Sequence, residues 1–586
     1  MTPPPVGTST GSSPPNPVGS SGTPEPSVPP APTDPPGPAI ESTETPAEST
    51  PIPAVPISAD PVPAVPVPAV PAGPVPTTTP VPADPVPADP AGPDPTTTPV
   101  PADPITADPA GPDPTPTPVP AGPEGSSEPP PGIAAATTST AAAAGAAAAP
   151  APVPRSYFRL CLTAVAIVAG GIQVLFIHAM SRRTALPAVG RYDTVQAHYL
   201  VRGQWFVDPV QATSGAHVFV PTAAHPPLPT LLLGIADVAS ATGSTQHMVF
   251  LAMLFVASVV LAGITVRDLV GERAGVLAAL VFATFPLLWV NPATIGPETT
   301  VIAVTTLLLF ASVRFWARPS SGHAALVGLA LGLCALTRTD LVALVVLVGL
   351  PLGLSVRSVP WKVRLRGLAV MGVIALLVVG PWVGRNLSQF GHTVILSEDY
   401  GAVVAGANCA TTASGQLEGW WSPACLARVP VSGQPASVTT ADQVHVGRVY
   451  VSDHLGSTVG VAAVRLGRLW NVYRPLQGSD LEVATGRPAW VSRLGLWYFY
   501  LLVPAAAVGA VVLRRRRLLG FPFLALIFLS SITAVLAFGD ARFAVEADVA
   551  MAMLAGVALD VLATRVRSRW SSPPGRHSMR RFPGAP

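Results

Sequence analysis

For its first 154 residues the chain has neither lysine nor arginine, and hardly any aromatic or large aliphatic side chain. Without apolar area to bury, such a segment cannot offset the entropy of an ordered chain, so 1–154 is expected to be disordered. It holds 14 acidic residues, leaving 18 of the 32 acids to face all 34 bases in the remainder. The formal net charge of +2 hides that asymmetry. Cysteine is also scarce, at four residues with no CxxC spacing, which argues against a zinc ribbon or finger. No glycine-rich phosphate loop, Walker motif or dinucleotide fingerprint occurs, so soluble nucleotide-sugar chemistry has no support.

What the tail does contain is proline. TTTPVPADPVPADPAGPDP at 77–95 recurs as TTTPVPADPITADPAGPDP at 96–114. That X-Pro density favours extended polyproline II segments, suited to a spacer or a docking arm.

From Tyr157 the composition inverts, and apolar windows long enough to cross a bilayer follow one another with short polar breaks. The pattern predicts an all-α polytopic membrane protein with about ten spans, near 158–178, 246–266, 274–291, 299–317, 323–337, 339–356, 367–384, 492–513, 518–538 and 543–564. The segment 226–239, PPLPTLLLGIADVA, is short and contains an acid, so it reads as a juxtamembrane helix within the first outer loop rather than a span. With it left out, the basic breaks at 267–273, 314–318, 357–366 and 514–517 and the tail from Arg565 share one side with the N-terminus. The positive-inside rule makes that side the cytoplasm. The domains are then a tail at 1–154, a membrane body at 155–565 with outer loops 179–245 and 385–491, and a basic cytoplasmic tail at 566–586.

The opposite side collects charge. Asp193, Glu298, Asp340, Asp399 and Asp540 fall there, with Arg338, Arg385 and Arg542, in loops far apart in sequence. Charged groups at the ends of many helices describe a site at a membrane surface, not a pathway through the middle. The stretch Arg191 to Leu233 is the densest part, with Asp193, His217 and His225 followed by Pro226-Pro227.

The blocks RYDTVQAHYLVRGQWFVDP, PTAAHPPLPTLLL, RAGVLAALVFATFPLLWVNPATIGPE, LTRTDLVAL and GPWVGRNLSQFGHTVILSEDYG, in that order, resemble the polyprenyl-phosphate-sugar-dependent glycosyltransferases of the GT-C superfamily. That group includes protein mannosyltransferases and aminoarabinose transferases, and the chain looks closest to an actinobacterial branch. The resemblance covers about 157–565 and implies transfer of a sugar from a polyprenyl phosphate to an acceptor hydroxyl at the outer face. In the family an acid of the first outer loop serves as general base or metal ligand, and Asp193 matches it; the plain alternative is a helix cap or a partner for Arg191. Glu298 matches the second acid, or serves as an N-terminal charge of its helix. A divalent cation is the one cofactor such a pair of acids would take. His225 and Ala224 replace a Glu-Lys pair of some relatives, which leaves the metal in doubt and makes His225 a substrate contact or a cap.

Arginine suits a lipid phosphate because its charge is permanent and its donor fork matches phosphate oxygens. Arg338, Arg385 and Arg542 are the candidates, the alternative being pairing with Asp340 and Asp540. Cys409 and Cys425, 16 positions apart in an outer loop, read as a disulfide around Trp420 and Trp421. The expected partners are the polyprenyl-phosphate sugar donor, membrane lipids and a glycan or protein acceptor. Nucleic acid is not among them, since the basic loops follow from insertion. The competing class is a transporter or flippase, against which stand the absence of repeated halves and the clustering of acids on one side.

Overall fold

The computed structural model describes residues 155–182, 188–213, 218–239, 243–391, 393–429 and 436–571. The acidic tail, His217 and the chain beyond 571 lie outside the described residues. Within them the protein is all-α, its one β feature an isolated bridge between Val207 and Pro221.

The helices that matter here are α1 (Arg155–Met180), α2 (Ala188–Val201), α3 (Leu228–Val238), α4 (Ser244–Leu269), α5 (Glu272–Thr284), α6 (Glu298–Ala317) and α7 (Ser321–Ala335). They continue as α8 (Trp361–Gln389), α9 (Tyr400–Ala407), α10 (Ala489–Arg515), α11 (Phe521–Leu536) and α12 (Val545–Ser571). Among the described residues six helices, α1, α4, α6, α8, α10 and α12, are long and apolar enough to cross a membrane, and a seventh is counted if α5 and Pro286–Thr294 form one span bent by 62°. The bend falls at Phe285, pushed to an extended conformation (φ −73°, ψ 114°) by the proline that follows. Three of the ten expected spans are shorter apolar segments: α7, α11 and Thr339–Ser355. The last begins as a 3₁₀ turn, passes through a π segment at Val345–Gly349 and becomes α-helical only at Leu350.

Small residues let these helices touch. A β-carbon on Gly328 of α7 would collide with the Met371 backbone of α8, and one on Gly556 of α12 with that of Ala278 in α5.

One end of the bundle is marked by Arg267 over the Phe158 ring (4.9 Å), Arg314 on Asp268 (2.8 Å) and Arg273 on Asp560 (3.5 Å). The other end holds the Phe176–Trp289 contact (4.9 Å) and the bond from Arg487 to Asn291 (2.8 Å). α1 runs from the first end to the second, and α4 runs back. The segment between them, including α3 packed on α2, therefore belongs to one end, as the juxtamembrane reading of 226–239 requires.

Candidate active site

Asp193 lies on the inward face of α2, 2% exposed, and its Oδ1 is 3.0 Å from His225 Nδ1. His225 immediately precedes Pro226-Pro227, which start α3, and the Tyr192 ring packs against it at 4.9 Å. Its other nitrogen, Nε2, is 3.6 Å from Oδ2 of Asp399. Burial by itself would favour the neutral imidazole, but the hydrogen bond to Asp193 and the negative charges of Asp193 and Asp399 outweigh it and push the His225 pKa up to about 10. The Tyr192 hydroxyl is driven upward too, chiefly by burial.

Backbone contacts fix the surroundings of this histidine. Leu228 N–H donates to the Leu336 carbonyl (2.9 Å), tying the start of α3 to the end of α7. From the other side Glu398 N–H donates to Ala223 O (2.8 Å), and Ala223 N–H donates to the Glu398 carboxylate (2.9 Å). Burial raises the Glu398 pKa, partly offset by that N–H.

Beside His225 opens a cavity of about 430 Å³. Asp193 and His225 line it from the first loop, Glu298 from the start of α6, and Arg338 and Asp340 from the turn after α7. Asp399 and Tyr400 come from the N-cap and first residue of α9, and Phe538, Arg542 and Phe543 from the turn between α11 and α12. Of the polar residues expected from sequence to touch substrate, Asp193, Glu298, His225, Arg338 and Arg542 thus meet around one space.

Arg338 is already engaged there. Its Nε donates to Asp340 Oδ1 (3.0 Å), and its Nη2 reaches both Asp340 and Oε1 of the fully buried Glu546 (3.2 Å). Thr533 donates to Asp340 as well (2.9 Å), and the guanidinium lies 5.2 Å over the Phe543 ring. Arg542 pairs with Asp540 at 3.2 Å. Glu298 is 7% exposed and curls back over Gly296, where a β-carbon would meet its carboxylate.

Arg385 stands elsewhere. It donates to Thr222 O (3.0 Å) and Phe206 O (3.3 Å), lies 5.0 Å over Trp382, and lines a neighbouring, mainly apolar cavity of about 400 Å³. Cys409 and Cys425 are bonded, with Cα atoms 5.9 Å apart. Trp421 donates to Ala402 O (3.0 Å) and packs on Gly406, so it braces α9, while Trp420 meets Phe538 at the cavity edge (6.4 Å).

Sequence reasoning passed over Glu546 and the equally buried Asp548, which it placed inside a span, and the buried pair Arg487–Glu482 (3.5 Å). The signal was present, because an ionisable residue in an apolar run is rarely idle.

Residues 224–384 match the family of dolichyl-phosphate-mannose-protein mannosyltransferases, a stretch that contains His225, Glu298 and Arg338. No curated protein sequence matches the chain. Among solved structures it is similar to the Archaeoglobus fulgidus oligosaccharyltransferase in its apo form, with 14% identity over 72% of this chain and 53% of that one and a TM-score of 0.42. It is also similar to ArnT from Cupriavidus metallidurans bound to undecaprenyl phosphate (17% identity, 70% of this chain and 80% of that one, TM-score 0.35). A third is the S. cerevisiae protein O-mannosyltransferase Pmt1–Pmt2 complex bound to the sugar donor (14%, 43% and 37%, TM-score 0.33). The chain spans about half the length of the archaeal enzyme.

A divalent cation would find few free carboxylates here. Among the described residues no three His, Cys, Asp or Glu side chains are arranged to hold a metal, and Asp193 and Asp340 already hold His225 and Arg338.

Proposed function

We propose that the 430 Å³ cavity is the catalytic site of a membrane glycosyltransferase that moves a sugar from a polyprenyl phosphate to an acceptor hydroxyl. The observation that carries this reading is the meeting of Asp193, His225, Glu298, Arg338 and Arg542 from separate loops around one space at the end of the bundle opposite the basic turns. On this reading both tails face the cytoplasm and the cavity faces outward.

Asp193 is the general base. Its Oδ1 is held by His225, which leaves Oδ2 to take the acceptor proton as the hydroxyl oxygen bonds to the anomeric carbon. Glu298 orients the acceptor. The charged His225 and the Nη1 edge of Arg338, with Arg542 nearby, receive the negative charge that grows on the departing phosphate. Arg385 serves the lipid side from the adjoining apolar cavity. One base and no nucleophilic partner give a single displacement with inversion.

Asp193→Asn tests the assignment. General-base assistance is typically worth 10²- to 10⁴-fold, roughly 3 to 5 kcal/mol of barrier. Turnover in membranes should fall by that factor with donor binding retained. Near-parental turnover would remove Asp193 from the role and make Glu298 the acid to examine.

A further inference from the structure

Acids outnumber bases around the cavity. Asp193, Glu298, Asp340 and Asp399 line it, Glu546 stands behind Arg338, and against them are only His225, Arg338 and an Arg542 already paired with Asp540. A phosphate entering such a space is repelled unless one of the carboxylates gives up its cation.

Four of the five that hold a cation are poorly placed to do so, Asp540 among them because it is 2% exposed and also accepts the Arg542 N–H. Asp193 is 2% exposed and bonded at 3.0 Å. Asp340 takes two N–H groups of Arg338 and the Thr533 hydroxyl. Glu546 is fully enclosed. Asp399 differs on every count: its side chain is 49% exposed, its oxygen is 3.6 Å from His225 Nε2, beyond direct hydrogen-bond range, and it makes no capping bond to α9. It is also carried by the long segment after α8 and not by a bundle helix.

We propose that Asp399 is a placeholder anion: it occupies the seat of the donor phosphate on His225 Nε2 and sets donor affinity by competing for that seat. This rests on the reading of the cavity as the donor site. Asp193 keeps Nδ1 throughout and so aims Nε2–H at whichever anion is present, and the phosphate displaces Asp399 towards solvent. The competing charge is half-exposed, so its removal is expected to tighten binding about fivefold, or about 1 kcal/mol.

The test uses the full chain in detergent with EDTA, titrated with farnesyl phosphate and, as the uncharged control, farnesol. Asp399→Asn and Asp399→Ser should bind farnesyl phosphate about fivefold tighter with farnesol unaffected, and tightening in either monodisperse variant supports the proposal. Unchanged or weaker binding in both overturns it, since Asp399 would then be a brace and not a competitor. An equal gain in Glu298→Gln, whose carboxylate holds no cation in an ion pair, also overturns it by reducing the effect to bulk charge. Failure of the donor-site reading has its own signature: the unaltered protein would bind farnesyl phosphate no better than farnesol, and the proposal would fall with it.

Discussion

Arg338 sits between two carboxylates of unequal freedom, Asp340 on the cavity wall and Glu546 sealed behind it. Removing one partner of a buried pair leaves the other charge uncompensated, at a cost of about 3 to 5 kcal/mol. Arg338→Ala should therefore lower the melting temperature as well as donor binding, and Glu546→Gln in the same chain should restore much of the stability but none of the binding. Calorimetry beside a binding titration separates the two; a double variant no more stable than Arg338→Ala would show that Glu546 is not the stranded charge. His225 yields a pH prediction. Its pKa is raised in the fold to about 10, so the stabilisation from its pairs is complete below about 6.5, the unfolded value, and is lost as pH climbs through 10. The difference in melting temperature between the parent and His225→Gln should shrink steadily from pH 6.5 to 10, and a constant difference would contradict the pairing. The sequence showed Asp193, His225 and Arg338 because they stand in polar breaks, where charge is conspicuous. It hid Glu546 because two acids at the end of a long apolar run look like the helix start they also are.

At the scale of elements, the long spans were legible because hydropathy reports length directly. Three of the expected spans are apolar segments shorter than a straight crossing helix. Hydropathy sums over residues whatever their backbone, and Thr339–Ser355 divides its apolar run among 3₁₀, π and α geometry. The brevity of α3 was legible for the opposite reason, since a Pro-Pro start and an internal Asp bound it on both sides. Asp237 was visible as an acid, but not its burial against His247 (2.7 Å), which pins the end of α3 to the start of α4. The packing of α7 on α8 could not be read either, because a glycine in an apolar helix does not announce its neighbour. Gly328→Leu should destabilise by about 1 to 3 kcal/mol through overpacking against the Met371 backbone, measurable as a lower melting temperature, and an unchanged melt would mean the helices separate freely there. The Cys409–Cys425 bond makes a labelling prediction on intact cells: a membrane-impermeant thiol reagent should mark both cysteines only after reduction. Marking only after the membrane is broken would reverse the topology.

At the scale of the whole molecule, charge is divided between the two ends of the bundle. The ion pairs Arg314–Asp268 and Arg273–Asp560 stand at one end of the bundle, and the cavity at the other. If the cavity is the proposed active site, the positive-inside bias separates insertion signals from chemistry along the length of the helices. The acidic tail, whose proline repeats carry neither a charge pattern nor an apolar face suited to the cavity, should be dispensable for turnover. A chain lacking residues 1–150 is expected to insert and transfer sugar at near the parental rate, and complete loss of activity with normal insertion would give the tail a part in catalysis or assembly. The bond between Cys409 and Cys425 reaches further than stability. It closes the segment directly after α9, the helix whose start brings Asp399 and Tyr400 into the cavity, and Trp421 inside that closed loop props α9 from behind. A chain held under reducing conditions lacks that closure, so the wall beside His225 is finished only where thiols oxidise. On the proposed reading as a glycosyltransferase, oxidation is then the last step in building the site, and a chain whose thiols are still reduced carries an unfinished wall.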